Sequence, residues 1–115
     1  MIAAIYNMLV DQGATFSRVL TYKDDAGNPV NLTGYTARMQ VRDTYDAAGV
    51  ALNLTTENGG ITLGGTAGTI TLAAAATATA AVEAKPYVYD LELVSGSVVN
   101  RLIQGTFNVR PEVTR

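Results

Sequence analysis

The stretch YTARMQVR, Tyr35 to Arg42, constrains the fold more tightly than any other part of the chain. Tyr35, Ala37, Met39 and Val41 fall on one side of an extended backbone, and Thr36, Arg38, Gln40 and Arg42 on the other. Apolar side chains at a period of two describe a strand with one face buried and one face wet. YVYDLELV repeats the pattern, with Tyr87, Tyr89, Leu91 and Leu93 together and Asp90 and Glu92 opposite. ATFSRVLTYK is a looser version, placing Phe16, Leu20 and Tyr22 on one side with Arg18 intruding. VVNRLIQGTFNV completes the clear strands, with Gly105 expected to mark a bulge or bend. MIAAIYNMLV, ALNLTT, GITL and GTITL are weaker strand candidates.

Turn signals separate these runs. DDAGNPV, Asp24 to Val30, combines Asp, Gly, Asn and Pro, each of which favours a turn for its own reason. ENGGITLGGTAGTI reads as two short strands joined by a tight Gly-rich turn. In VSGSVV, Gly96-Ser97 suits a two-residue type II′ hairpin loop, which wants Gly first. That register sets Glu92 opposite Arg101 and Leu91 opposite Leu102, whereas a three-residue loop would shift every pair.

Between the strands lies LAAAATATAAVEAKP, in which eight of the twelve residues from Ala73 to Ala84 are alanine. Leu72 to Val82 is roughly half of the ~20 residues a spanning helix needs, so a membrane segment is not expected. Flexible linkers favour Gly, Ser or Pro, whereas alanine is the best helix former. The expectation is a short helix over about residues 73–84, ended by Pro86 and serving as a crossover. Many short strands, frequent turns and one short helix imply an all-β fold: an immunoglobulin-like antiparallel β-sandwich. The Cys…Trp…Cys signature of antibody domains is absent.

Composition agrees with one folded domain over residues 1–115. The chain is 48% hydrophobic and 16% charged, the reverse of a disordered chain. Its formal charge is -2 and it has no run of Lys or Arg, so no electrostatic grip on nucleic acid is expected. The opening residues lack a basic segment and reach Asp11 quickly, which argues against a signal peptide. Asn31 and Asn53 begin Asn-x-Thr triplets that are read as chance matches to a glycosylation pattern.

With no His, Cys or Trp, the chain lacks the usual general base, the common nucleophile pairs and ordinary zinc ligands. Asp90 and Glu92 share a strand face and are read as a solvated surface with Arg101 as counter-charge. Asp24 and Asp25 followed by Gly27 and Asn28 fail the EF-hand spacing and read as a turn. GGTAG lacks the Lys and Ser/Thr of a phosphate loop. Arg18, Arg38 and Arg42 are read as a salt-bridged face, and most of the six tyrosines as core residues with their hydroxyls at the rim. No catalytic, cofactor or metal site is expected, and the chain is not expected to be an enzyme.

In order, QGATFSRVLTYKDDAGNPVNLTGYTARMQVR, GGITLGGTAGTITLAAAATATAAV and YVYDLELVSGSVVNRLIQGTFNVRPEVTR resemble a type of small bacteriophage tail and baseplate protein. The resemblance is to the immunoglobulin-like N-terminal domain of baseplate upper proteins and runs from Gln12 onward. It implies a non-enzymatic virion protein in the tail region, an adaptor that joins tail fibre or tailspike proteins to the tail or baseplate. Partners would be other virion proteins, in symmetric or multiple copies, without nucleic acid or membrane. In longer relatives an extension follows the domain; here the sequence stops at Arg115, which puts fibre-holding by such an arm in doubt. A capsid decoration protein and a carbohydrate-binding module are the alternatives. The apolar segment over residues 1–10, with Ile2, Ile5, Tyr6, Met8 and Leu9, is the candidate docking or exchanged strand. The competing reading makes it the first strand of its own sandwich.

Overall fold

The alternation of Tyr35–Arg42 becomes a strand whose Ala37, Met39 and Val41 are fully buried while Arg38 and Gln40 face water. The computed structural model describes residues 4–113. In chain order the strands are β1 (Ala4–Ile5), β2 (Met8–Asp11), β3 (Phe16–Thr21), β4 (Thr36–Arg42), β5 (Leu52–Thr55), β6 (Ile61–Leu63) and β7 (Thr69–Ala74). One turn of helix, α1 (Ala76–Ala80), precedes β8 (Pro86–Ser95) and β9 (Val98–Arg110). A 3-10 turn, Gly65–Ala67, joins β6 to β7.

Two sheets result. One is ordered β1-β9-β8-β4-β5, with β2 continuing along β9 below β1; the other is β3-β7-β6. β1 and β2 run parallel to β9, and every other pair is antiparallel. This is the immunoglobulin-like arrangement: β9, β8 and β4 occupy the G, F and C positions, and β3, β7 and β6 the B, E and D positions. The inner faces meet in one core, with Met39, Val41, Tyr89, Leu91 and Phe107 from the first sheet and Phe16, Ile61, Ile70 and Leu72 from the second. Phe107 packs edge-on against both Phe16 and Tyr89, at ring distances of 5.6 and 6.3 Å. Each such side chain contributes roughly 1.5–3 kcal/mol through the area it removes from water.

Several expectations are corrected in detail. The helix is only Ala76–Ala80, not residues 73–84. Ala73 and Ala74 instead extend β7 and pair with Ser17 and Phe16. Nothing caps the helix start, since Ala75 has no side chain to accept an amide. A nucleation cost unrelieved by a cap favours a strand wherever a ladder partner is at hand. The helix also ends before Pro86, which opens β8, a position where its missing N–H is tolerated.

The final hairpin keeps Ser95 opposite Val98 and Glu92 opposite Arg101. Gly96 has φ +59° and no non-glycine described residue has positive φ, which is the type II′ pattern. Beyond Glu92 the register shifts, so Leu91 faces Ile103, and Leu102 is the extra residue of a bulge. Gly105 is therefore not the bulge. It lies opposite Tyr89, where an added Cβ would stand 2.5 Å from the Tyr6 carbonyl oxygen and 2.7 Å from Asn7 Oδ1. The glycine lets the N-terminal segment pass close beside β9.

Candidate functional site

At that close approach the N-terminal segment divides into two strands, with its break at Tyr6 and Asn7. The break is held from several sides. The Tyr6 amide donates to the Gln104 carbonyl at 2.9 Å, and the Thr106 amide donates to Asn7 Oδ1 at 3.0 Å. The buried Tyr89 hydroxyl donates to the Tyr6 carbonyl, and burial pushes the Tyr89 phenol well above its ordinary range. At the far end, Arg110 pairs with Asp11 at 2.7 Å.

The predicted docking residues separate into two sets. Ile5 is 67% exposed and Leu9 48% exposed, while Tyr6 lies at the rim. Met8 belongs to the core at 2% exposure and is not available to a partner. The reason is the pleat: Met8 and Val10 point inward, and Leu9 points out. Ile2 lies outside the described residues. In this structure the segment forms the edge of its own sheet.

Beside Ile5 the two sheets part. An apolar cleft of about 530 Å³ opens between them, lined by Ile5, Leu102 and Ile103 on one side and by Leu20, Tyr22 and Ile70 on the other. Leu20, Tyr22, Leu102 and Ile103 pack on the core and remain only half-buried. Nothing in the period-two pattern distinguishes these positions from fully buried ones.

The outer face of the first sheet is ionic. Arg38 Nε meets Glu92 at 2.7 Å and Arg101 Nε meets Asp90 at 3.3 Å, so each carboxylate has a cation of its own. Arg42 folds over to donate to the Ala47 carbonyl at 2.6 Å and to Gln40 Oε1 at 2.8 Å, fastening the loop after β4. Arg18 lies away from this group, against the Phe16 ring. On the fastened loop, Tyr45 is 73% exposed and stands outside the core expected for most of the tyrosines. It borders a polar cleft of about 220 Å³ with Gln40, Arg42, Thr44, Asp90 and Glu92. The Asp24 carboxylate accepts the Ala26 and Asn28 amides, as a turn residue does. Among the described residues, no group of three or more carboxylates is placed to hold a metal ion.

Tyr87 was not singled out by the sequence beyond its inward position. Its hydroxyl donates to the Glu83 carbonyl at 2.8 Å, closing the turn into β8 in the manner of the tyrosine corner of immunoglobulin-like domains. Lys85 covers its ring and reaches Asp43 at 3.2 Å.

No protein-family model matches the chain, and no curated protein matches it. Among solved structures, an endo-fucoidan hydrolase from glycoside hydrolase family 107 superposes with a TM-score of 0.51 over 96% of this chain, at 13% identity. The chain spans 13% of that enzyme's length. The likeness is one of fold.

Proposed function

We propose that this chain is a non-enzymatic structural protein of a bacteriophage virion, an adaptor that joins tail fibre or tailspike proteins to the tail or baseplate and works in multiple symmetric copies. The ordered resemblance of its segments to baseplate upper proteins motivates the reading. The observation that carries it is the N-terminal edge, where Ile5 and Leu9 present apolar side chains to solvent on strands anchored to β9. Apolar groups on a sheet edge are a hazard to a free monomer and an asset to a subunit with a fixed neighbour.

The test is a double variant, Ile5→Ser with Leu9→Ser, in the phage that encodes the chain. Both side chains are exposed, so the purified variant should keep its thermal midpoint while its incorporation into particles falls. Quantitative mass spectrometry of purified virions reads the outcome. Copy number in step with tail symmetry, rather than with the capsid lattice, separates an adaptor from a decoration protein. Absence of the wild-type chain from purified virions would overturn the proposal.

One observation favours carbohydrate binding as a second reading: exposed Tyr45 stands over a cleft of amide, guanidinium and carboxylate groups, the mixture that sugar hydroxyls and ring faces engage. Glycan-array binding lost in Tyr45→Ala would promote it.

A further inference from the structure

In immunoglobulin-like domains the sheet containing strands B, E and D also holds a strand A beside B. Here that sheet is β3-β7-β6, and no described strand lies on the outer side of β3. The alternation of the β3–β7 ladder fixes which backbone groups are left over. The Tyr22 amide donates to Gly68 on the β7 side, so Leu20, Arg18 and Phe16, at steps of two, also face β7. The N–H and C=O groups of Ser17, Val19 and Thr21 therefore point to the open edge. Arg18 closes one end of the seam, donating to the Ser17 carbonyl at 3.1 Å and across to the Leu9 carbonyl at 2.7 Å. From Val19 onward the seam is open, and Val19 is 63% exposed.

The apolar cleft lies directly under this open edge, between β3 and β1. Lys23 stands at its mouth and makes no ion pair among the described residues, the adjacent Asp24 carboxylate being taken up by the amides of its own turn. Backbone donors and acceptors in a row, an apolar trough for alternate side chains and an unpaired cation at one end define what would fit.

We propose that the edge of β3 from Val19 to Thr21 is an acceptor for an extended segment of another polypeptide, which lies antiparallel to β3, drops alternate apolar side chains into the cleft and carries an acidic residue near its own N-terminal end to meet Lys23. This is strand addition: main-chain bonds supply affinity and the trough supplies selectivity. It goes beyond the adaptor reading, because it assigns a separate surface and holds whatever assembly the chain serves.

The experiment uses the full chain and a synthetic peptide that alternates leucine or valine with threonine and has Glu near its N-terminus. A control peptide has the same composition with the apolar residues at helical spacing. Amide exchange and chemical shifts are followed by NMR. The alternating peptide should slow exchange at Val19 and Thr21 and shift the methyls of Leu20 and Ile103, and the control should do neither. Val19→Pro removes an outward N–H and leaves the β7 ladder intact, so it should weaken binding about tenfold or more. Thr21→Pro repeats the test if the first variant does not fold, and Lys23→Glu should weaken binding of the Glu-bearing peptide alone. Absence of any protection by the alternating peptide, equal binding by the control, or unchanged binding by a folded proline variant would overturn the proposal. So would protection of Val19 in the free protein that grows with its own concentration, since a second copy would then be the occupant.

Discussion

The hydroxyl of Tyr89, in the middle of β8, donates to the backbone carbonyl of Tyr6, 83 positions earlier in the chain. The contact spans the width of β9, passing above Gly105, the partner of Tyr89 in the ladder. Bulk at Tyr89 and its lack at Gly105 together fix where the N-terminal segment breaks from β1 to β2.

Tyr89→Phe removes the donor and leaves the Tyr6 carbonyl without its protein partner. The expected loss is about 1–3 kcal/mol, read from urea unfolding. Exchange should quicken at the Tyr6 and Met8 amides first, before the core strands respond. Uniform loosening of all strands would contradict a local tether.

Gly105→Ala tests the other half of the arrangement. A methyl group there overlaps the Tyr6 carbonyl and the Asn7 side chain. The segment must move, at an expected cost of about 1–3 kcal/mol. Chemical-shift changes should centre on Tyr6, Asn7 and Thr106; a silent substitution would show that the close approach does not constrain the edge.

Thr79 is the buried polar residue of α1, and its hydroxyl accepts the Gly13 amide at 3.1 Å while donating to the Ala14 carbonyl at 2.8 Å. Thr79→Val keeps the shape and strands both backbone groups, with an expected loss of about 1–3 kcal/mol in thermal or urea unfolding. Thr79→Ser, which keeps the hydroxyl, should cost less than the valine variant.

The two buried tyrosines set an alkaline limit. Burial pushes both the Tyr87 and Tyr89 phenols above the ordinary value of 10.0. The unfolded chain then loses these protons at lower pH than the folded one, so stability is intact below about pH 10 and declines as pH rises further. Urea midpoints across this range check the sign, and the decline should be shallower in Tyr89→Phe. A midpoint that rose above pH 10 would contradict it.

How much of this was legible in the sequence depended on the period of two. Where a strand has one wet face, as in β4 and β8, alternation marks its core residues, and Met39, Val41, Leu91 and Leu93 are all buried. The hairpin loop was legible because only glycine takes positive φ readily at Gly96. The alanine run was harder, since Ala73 and Ala74 carry no pattern and were decided by the partner that β3 supplies. The Leu102 bulge left no trace in residue type, because either Leu102 or Ile103 satisfies the alternation. In the candidate site, Ile5 and Leu9 were visible as apolar residues, but their separation from Met8 required the register on β9. Tyr45 gave no warning of its exposure; it lies on the loop that the Arg42 guanidinium fastens through the Ala47 carbonyl.

The parallel pairing of β2 with β9 has a mechanical consequence. Leu9 lies beside Asn108 and Asp11 beside Arg110, with the two strands running the same way. Tension pulling residue 4 backward and residue 110 forward along this pair loads its hydrogen bonds together, in shear. A hairpin gripped at its open end would instead give way one bond at a time. The strand that ties the first residues to the last thus acts as a clasp, and rupture under load would begin there only when several bonds fail at once.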